Sequence, residues 1–284
     1  MLIERKTYSE AYQDGNSFEI QGVTPKLRLA EITNDLLLKT FVSKINVSNS
    51  DNLDIAFSWR DEGMAIEFIG NHLSNFDAPV LWRTLRNLGF CGLKDAPVFA
   101  VGKRLLDNPR TRLFTRFIDG VPVWPPTVKP KSRKEREESF ELNSRAFRTA
   151  KEVLKQGRSF VVFAEGTRSR EEVLHQGKAT AARYFSLMSE DSVEPGMQPA
   201  QDTLIVPFAL SGTEVLYPGG QSIPYRRGEV GLAFMEPILA SELESLYADV
   251  NNKNERQQLM IDHVMMEVAC GLPYEKRGYY ADKI

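Results

Sequence analysis

Cysteine and histidine are scarce in this chain, and long apolar runs are missing. Two cysteines, Cys91 and Cys270, cannot build a disulfide framework and fit a reducing compartment. Neither lies near an evident base, so both read as small buried hydrophobes. Three histidines (His72, His175, His263) and no Cys-x-x-Cys leave no zinc site of ordinary spacing, and no metal is expected. No stretch of about eighteen apolar residues occurs, so no transmembrane helix is expected. The opening MLIERKTYSEAYQDG lacks the apolar core of a signal peptide. A cytoplasmic chain with at most peripheral membrane contact is the expectation. Charge of one sign is also lacking: the net charge is -2, which gives no global field for nucleic acid or membrane. No Gly-x-Ser-x-Gly is present, and Gly219-Gly220-Gln221-Ser222-Ile223 is not one, which argues against a serine hydrolase.

What is present is an ordinary globular composition, 42% hydrophobic and 26% charged, in 284 residues. That length suits one large domain or a domain with a small cap. Residues 1–24 are polar and mixed and read as an arm. From Pro25, the spacing of Leu29, Ile32, Leu36, Leu37 and Phe41 predicts a helix with an apolar stripe, for packing or for a membrane surface. Residues 46–63 are polar and turn-rich and read as a boundary.

Strands and helices then alternate. Strands are expected over 64–69, 97–101, 121–124, 159–164, 203–210 and 229–235. Helices are expected over 78–88, 104–118 (broken at Pro109), 135–156 (closed by Gly157) and 178–189. A single final helix is expected over 241–269 with Ser241 as N-cap, followed by a loosely held tail over 271–284. The alternation predicts an α/β fold: a mostly parallel twisted sheet flanked by helices, with an N-terminal helical segment. The expected division is residues 1–60 as arm and helix, 61–240 as the α/β domain, and 241–284 as C-terminal helix and tail. In such sheets function gathers at the carboxyl ends of strands.

Two strand ends carry chemistry. The first is Gly70-Asn71-His72-Leu73-Ser74-Asn75-Phe76-Asp77. A neutral imidazole at His72 could take a proton from a hydroxyl while Asp77 holds the other ring nitrogen. The plainer alternative is a loop histidine beside an N-capping Asp. The second is Phe160 to Arg170, a buried strand running into Glu165-Gly166-Thr167-Arg168-Ser169. Gly166 permits a tight turn, Thr167 and Ser169 offer hydroxyls, and Arg168 offers a planar fork for phosphate or carboxylate. A Glu165–Arg168 ion pair tying the loop is the plainer alternative. The basic run Lys129–Arg136 reads as a solvated loop and helix start, or as a surface for anionic lipid or a phosphorylated donor. It has no interleaved aromatics, so no nucleic acid is expected.

Taken together, Asn-His-x-Ser-x-x-Asp and Phe-x-Glu-Gly-Thr-Arg-Ser are far more specific. The pair resembles the glycerophosphate acyltransferase superfamily, above all its 1-acylglycerol-3-phosphate acyltransferase branch. Lys103 with Leu106 and Pro109 is similar to the lysine-led stretch after the first motif. Gly177-Lys178 is similar to the small-Lys pair after the third, and Val206-Pro207 to the Val-Pro of the fourth. The resemblance covers about residues 60–240. The family's second motif departs: Gly120-Val121-Pro122-Val123-Trp124 leads into Pro125-Pro126 where an Arg is usual, with Lys129 or Lys131 as substitutes.

The resemblance implies acyl transfer from acyl-CoA or acyl carrier protein to the hydroxyl of 1-acylglycerol-3-phosphate, in phospholipid biosynthesis. Glycerol-3-phosphate or another lyso-lipid is the alternative acceptor, and a catalytically degenerate lipid-binding protein the alternative class. It implies His72 as base and Asp77 as its orienting group. Arg168, then Lys103, with Thr167 and Gly166, would hold the acceptor phosphate. Glu165 would fix Arg168 or bond the glycerol hydroxyls, and backbone N–H groups near the helix after Asp77 would meet the oxyanion. No cofactor is implied beyond the thioester co-substrate. The implied partners are that donor, a phosphorylated glycerol or lyso-lipid acceptor, and an anionic membrane surface.

Overall fold

The computed structural model describes residues 25–92, 96–107, 118–169, 171–185, 202–217 and 226–284, with side chains from residue 31 onward. The N-terminal arm, Pro109 and residues 186–189 of the helix expected over 178–189 lie outside the described residues.

One sheet organises the chain. Its strands are β1 (Val42–Ser48), β2 (Ala65–Gly70), β3 (Val98–Gly102), β4 (Asp119–Val123), β5 (Phe160–Phe163), β6 (Thr203–Ser211), β7 (Gly228–Phe234) and β8 (Ile238–Leu239). The order is β1-β7-β6-β2-β5-β3-β4, with β8 also on β6. The five strands from β6 to β4 run parallel. β7 and β8 lie antiparallel to β6, and β1 follows β7 in parallel. The expected mostly parallel α/β sheet is therefore the fold. All six positions of β2 are buried, as a strand covered on both faces requires.

Side-chain alternation splits the core into two layers. Ala65, Ile69, Phe160, Val162, Ile205 and Ala209 pack on one face against α5 (Arg133–Lys155) and α8 (Lys253–Cys270). Ile66, Phe68, Val161, Val206 and Phe208 pack on the other against α1 (Pro25–Phe41), α2 (Asp51–Asp61) and α3 (Asp77–Asn87). Short helices α4 (Lys103–Asp107), α6 (Thr213–Leu216) and α7 (Ala240–Leu246) complete the numbered elements. Ser132 caps α5 by accepting from the Glu135 N–H at 3.1 Å, while the Glu135 carboxylate takes the Lys131 N–H. Gly157, at φ 71°, closes it as expected.

Several expectations are corrected. The turn-rich stretch 46–63 contains the end of β1 and all of α2, whose Leu53, Ala56 and Phe57 are buried. Edge strand β1 has a polar outer face, with a burial pattern that hides its periodicity. The sheet thus crosses the boundary expected near residue 60. On α1, Ile32 and Leu36 are exposed while Asn34 and Leu38 are buried. Ion pairs from Arg86 of α3 to Glu31 and Asp35 set that rotation. The region after Gly177 is a turn and a short 3-10 segment, Ala182–Tyr184, through residue 185. The final helix is two, α7 and α8. Asn252, not Ser241, caps the longer one by accepting from the N–H groups of Asn254 and Glu255. Cys91 is buried, but Cys270 is exposed. The tail is firmly held: Tyr280 is fully buried.

Candidate active site

The parallel strands bring their carboxyl ends to one edge, and the residues beyond those ends form the site. Asn71, just past β2, bonds both ways with Leu210 of β6, donating to its carbonyl at 2.9 Å and accepting from its N–H at 2.8 Å. This clamp fixes where the following histidine starts. The His72 ring lies flat on Phe163 of β5, with centroids 4.3 Å apart. Its Nδ1 is 2.7 Å from Asp77 Oδ2. That same oxygen accepts the N–H groups of Leu73 (2.6 Å) and Ser74 (2.9 Å). An ionised carboxylate only accepts, so the imidazole carries its proton on Nδ1 and leaves Nε2 for the cavity. The other oxygen, Oδ1, accepts from the Thr213 hydroxyl, two residues past the end of β6. Asp77 is fully buried, so these donors replace water around its charge.

Glu165 has a different part from the expected one. Its carboxyl oxygens accept the backbone N–H groups of His72 (2.8 Å) and His175 (2.9 Å). It pins two loops and makes no ion pair with Arg168 among the described residues. Burial pushes the carboxyl up to about 8, against the pull of the two N–H donors. The second loop is tied further by the Ser169 N–H, which donates to the His72 carbonyl at 2.8 Å.

A cavity of about 350 Å³ opens beside His72. β3 and β5 pair only at Val98–Phe160 and Phe99–Val161. Beyond that point the cavity lies between Ala100, Val101 and Gly102 on one side and Val162, Phe163 and Ala164 on the other. Its walls come from both layers, Leu37, Ala78 and Leu105 on one face and Phe147, Ala181 and Tyr184 on the other. They are largely apolar.

Arg168, Thr167 and Gly166 all line this cavity. The Arg168 Nη1 is buried with no hydrogen-bond partner among the described residues, an unmet donor that is costly to leave so. Arg104 and Arg183 also line it. Lys103 does not: its ammonium pairs with Glu138 and lies 5.4 Å from the Trp124 ring centroid, outside the cavity. The Glu138 hydrogen bond raises its pKa. Lys103 is thus removed from the expected phosphate set.

The departure at the second motif has a physical account. A Cβ on Gly166, at φ 69°, would stand 2.6 Å from Pro126, and one on Gly102 would stand 3.1 Å from Pro125. The two prolines pack onto those glycines as one wall of the cavity. Trp124 is held to Asn143 of α5, whose Oδ1 accepts its N–H at 2.8 Å.

Sequence reasoning brought His72, Asp77, Glu165, Gly166, Thr167 and Arg168 together, and the structure does the same. It missed Asn71, His175 and Thr213. Thr213 sits two residues past the end of a parallel strand, the one positional signal that could have marked it.

A strand-end histidine oriented by a buried carboxylate thus stands beside a largely apolar cavity that Arg168 also lines. The family model described as Acyltransferase matches residues 44–211, and the chain belongs to that family. The resemblance to glycerophosphate acyltransferases carried by the two motifs agrees with it. No curated protein matches the chain. Among solved structures, the chain is similar to the 1-acyl-sn-glycerophosphate (LPA) acyltransferase PlsC from Thermotoga maritima. Identity is 21% and the TM-score 0.49, over 85% of this chain and 78% of that one.

Proposed function

We propose that the protein transfers a fatty acyl group from a thioester, acyl-CoA or acyl carrier protein, to the free hydroxyl of 1-acylglycerol-3-phosphate. The observation that carries the reading is a His72 imidazole locked by Asp77 at the edge of a largely apolar cavity that Arg168 also lines. The cavity takes the acyl chain, and Arg168 takes the acceptor phosphate. Nε2 of His72 removes the hydroxyl proton as that oxygen attacks the thioester carbonyl. The tetrahedral intermediate then collapses, the C–S bond breaks, and the imidazolium returns the proton to the departing thiolate. The thioester is already activated, so no enzyme nucleophile is needed. Phe76 and Val80 N–H groups are engaged within the turn, and Pro79 has none. Backbone donors for the oxyanion therefore come from Asn75 and Ala78, both lining the cavity.

Glycerol-3-phosphate is the rival acceptor, and another lyso-lipid is favoured by Pro125-Pro126 in place of a cation. The test is free-thiol release from palmitoyl-CoA and palmitoyl-acyl carrier protein, alone and with lysophosphatidate or glycerol-3-phosphate. Release that requires lysophosphatidate supports the proposal. Release with glycerol-3-phosphate moves the protein to the first acylation step. Release without any acceptor makes it a thioesterase, and silence throughout rejects the reading for these acceptors.

A further inference from the structure

The last fourteen residues lie outside the matched family region, yet they touch the loop after β5 and helix α6, both of which bond to the candidate site. Lys276 accepts the Leu174 N–H through its carbonyl at 2.9 Å, and the Tyr279 N–H donates to the Leu174 carbonyl at 2.9 Å. Gly278, at φ 47°, makes the approach feasible: a Cβ there would stand 2.2 Å from the Leu174 oxygen. The Tyr280 hydroxyl accepts the Gly177 N–H at 3.0 Å and donates to Asp262 of α8 at 2.5 Å. On the other side, the Lys276 ammonium pairs with Glu214 of α6, which is nearly fully buried and whose Oε2 has no partner among the described residues.

These contacts close a ring. His72 is held through its N–H by Glu165, and Glu165 holds His175, the residue after Leu174. Leu174 is held by the tail, and the tail reaches Glu214, the residue after Thr213. Thr213 donates to Asp77, and Asp77 accepts from His72. Both members of the dyad are thus tied to one short C-terminal segment, from opposite directions. We propose that residues 274–280 form a positioning strap, with Lys276 as its joint, that sets the His72–Asp77 geometry. The strap touches no reacting atom. It acts through Glu214 and Thr213 on one arm and through Leu174, His175 and Glu165 on the other.

The inference deepens the acyl-transfer reading, so its test includes a measurement independent of turnover. In the full chain, the His72 imidazole is titrated by NMR, assigned with a His72→Gln variant. The kcat and both KM values are read with palmitoyl-CoA and lysophosphatidate. Lys276→Met leaves Glu214 buried without its counter-charge beside Thr213 and Asp77. Extra negative charge favours the imidazolium, so the His72 midpoint should rise by about half a unit. The kcat should fall roughly tenfold with both KM values unchanged, as expected for a lost transition-state alignment. Lys276→Arg should restore both. Should Lys276→Met fail to fold, Lys276→Met with Glu214→Gln removes the lone buried charge. The kcat loss should persist in that pair. A folded Lys276→Met protein with the wild-type titration and kcat overturns the strap, as does a change confined to thermal stability. A wild-type protein without acyl transfer would instead overturn the functional reading, while the His72 titration would still report on the strap.

Discussion

Asp77 is asked to do two things at once. It must orient a histidine, and it must stay charged with no exposure to water. Two backbone N–H groups and the Thr213 hydroxyl supply the solvation that water would give. Replacing His72 by Ala should lower kcat by about 10²–10⁴-fold with circular dichroism unchanged. Asp77→Asn should do comparable damage, because its amide cannot accept at both positions and the imidazole proton moves to the wrong nitrogen. Near-normal turnover in either would remove the pair from catalysis. Arg168→Ala should chiefly raise the acceptor KM, about tenfold or more, leaving the donor KM in place. An unchanged acceptor KM would take Arg168 out of the phosphate site. These residues were readable from sequence because each sits at a strand end with its chemistry in adjacent positions. Thr213 was not, since its role depends on β6 lying beside β2, a pairing no local pattern encodes.

One buried carboxyl stands apart from the site. Glu67, in the middle of β2, is fully buried, and neither oxygen has a partner among the described residues. Burial raises its pKa well above the ordinary value of 4.5. In the folded chain it is neutral where the unfolded chain would ionise. Its contribution is therefore present below about pH 4.5 and is lost as pH rises towards the folded pKa. Glu165, raised to about 8, adds a loss of the same sign over the same window. The melting temperature should therefore decline as pH rises above about 4.5, with the Glu165 part of the loss complete near pH 8. Glu67→Gln should flatten that decline without moving the kcat. An identical slope in the variant would show that Glu67 does not set it.

At the scale of elements, the parting of β3 from β5 matters most. Parallel neighbours normally stay paired to their ends, and here pairing stops at Phe99–Val161, leaving a slot through the sheet. Both strands were legible as apolar runs, but the slot was not: a run of Val, Phe and Ala reads alike whether its edge is paired or open. The alternative reading of α1 as a membrane-facing helix keeps a physical basis, since Ile32 and Leu36 are 65% exposed. If the acyl chain occupies the slot, filling it should shorten the accepted donor. Ala100→Leu should lower kcat/KM for palmitoyl-CoA about tenfold relative to octanoyl-CoA, since each buried methylene contributes about 0.8 kcal/mol. A chain-length ratio equal to that of the wild type would place the acyl chain elsewhere.

For the whole molecule, the consequential fact is where the sheet ends. A reading by composition divides the chain near residue 60, because 46–63 is polar and rich in turn formers. The fold places β1 on β7 as the last strand and seats α2 against the layer that carries α3. Composition misled because an edge strand with one solvated face and a helix with three buried residues contribute few apolar letters to the count. A chain beginning at residue 61 would keep every residue of both motifs. It would also expose the β7 edge and the surfaces covered by Leu38, Leu53, Ala56 and Phe57. Losing several fully buried side chains, at about 1.5–3 kcal/mol each, approaches the whole stability of a typical domain. The shortened chain should therefore be aggregated or lack a cooperative thermal transition, while the full chain unfolds cooperatively under the same conditions. A cooperative transition with retained thiol release in the 61–284 chain would show instead that the first sixty residues are an appendage, and that the site stands on β2 to β8 alone.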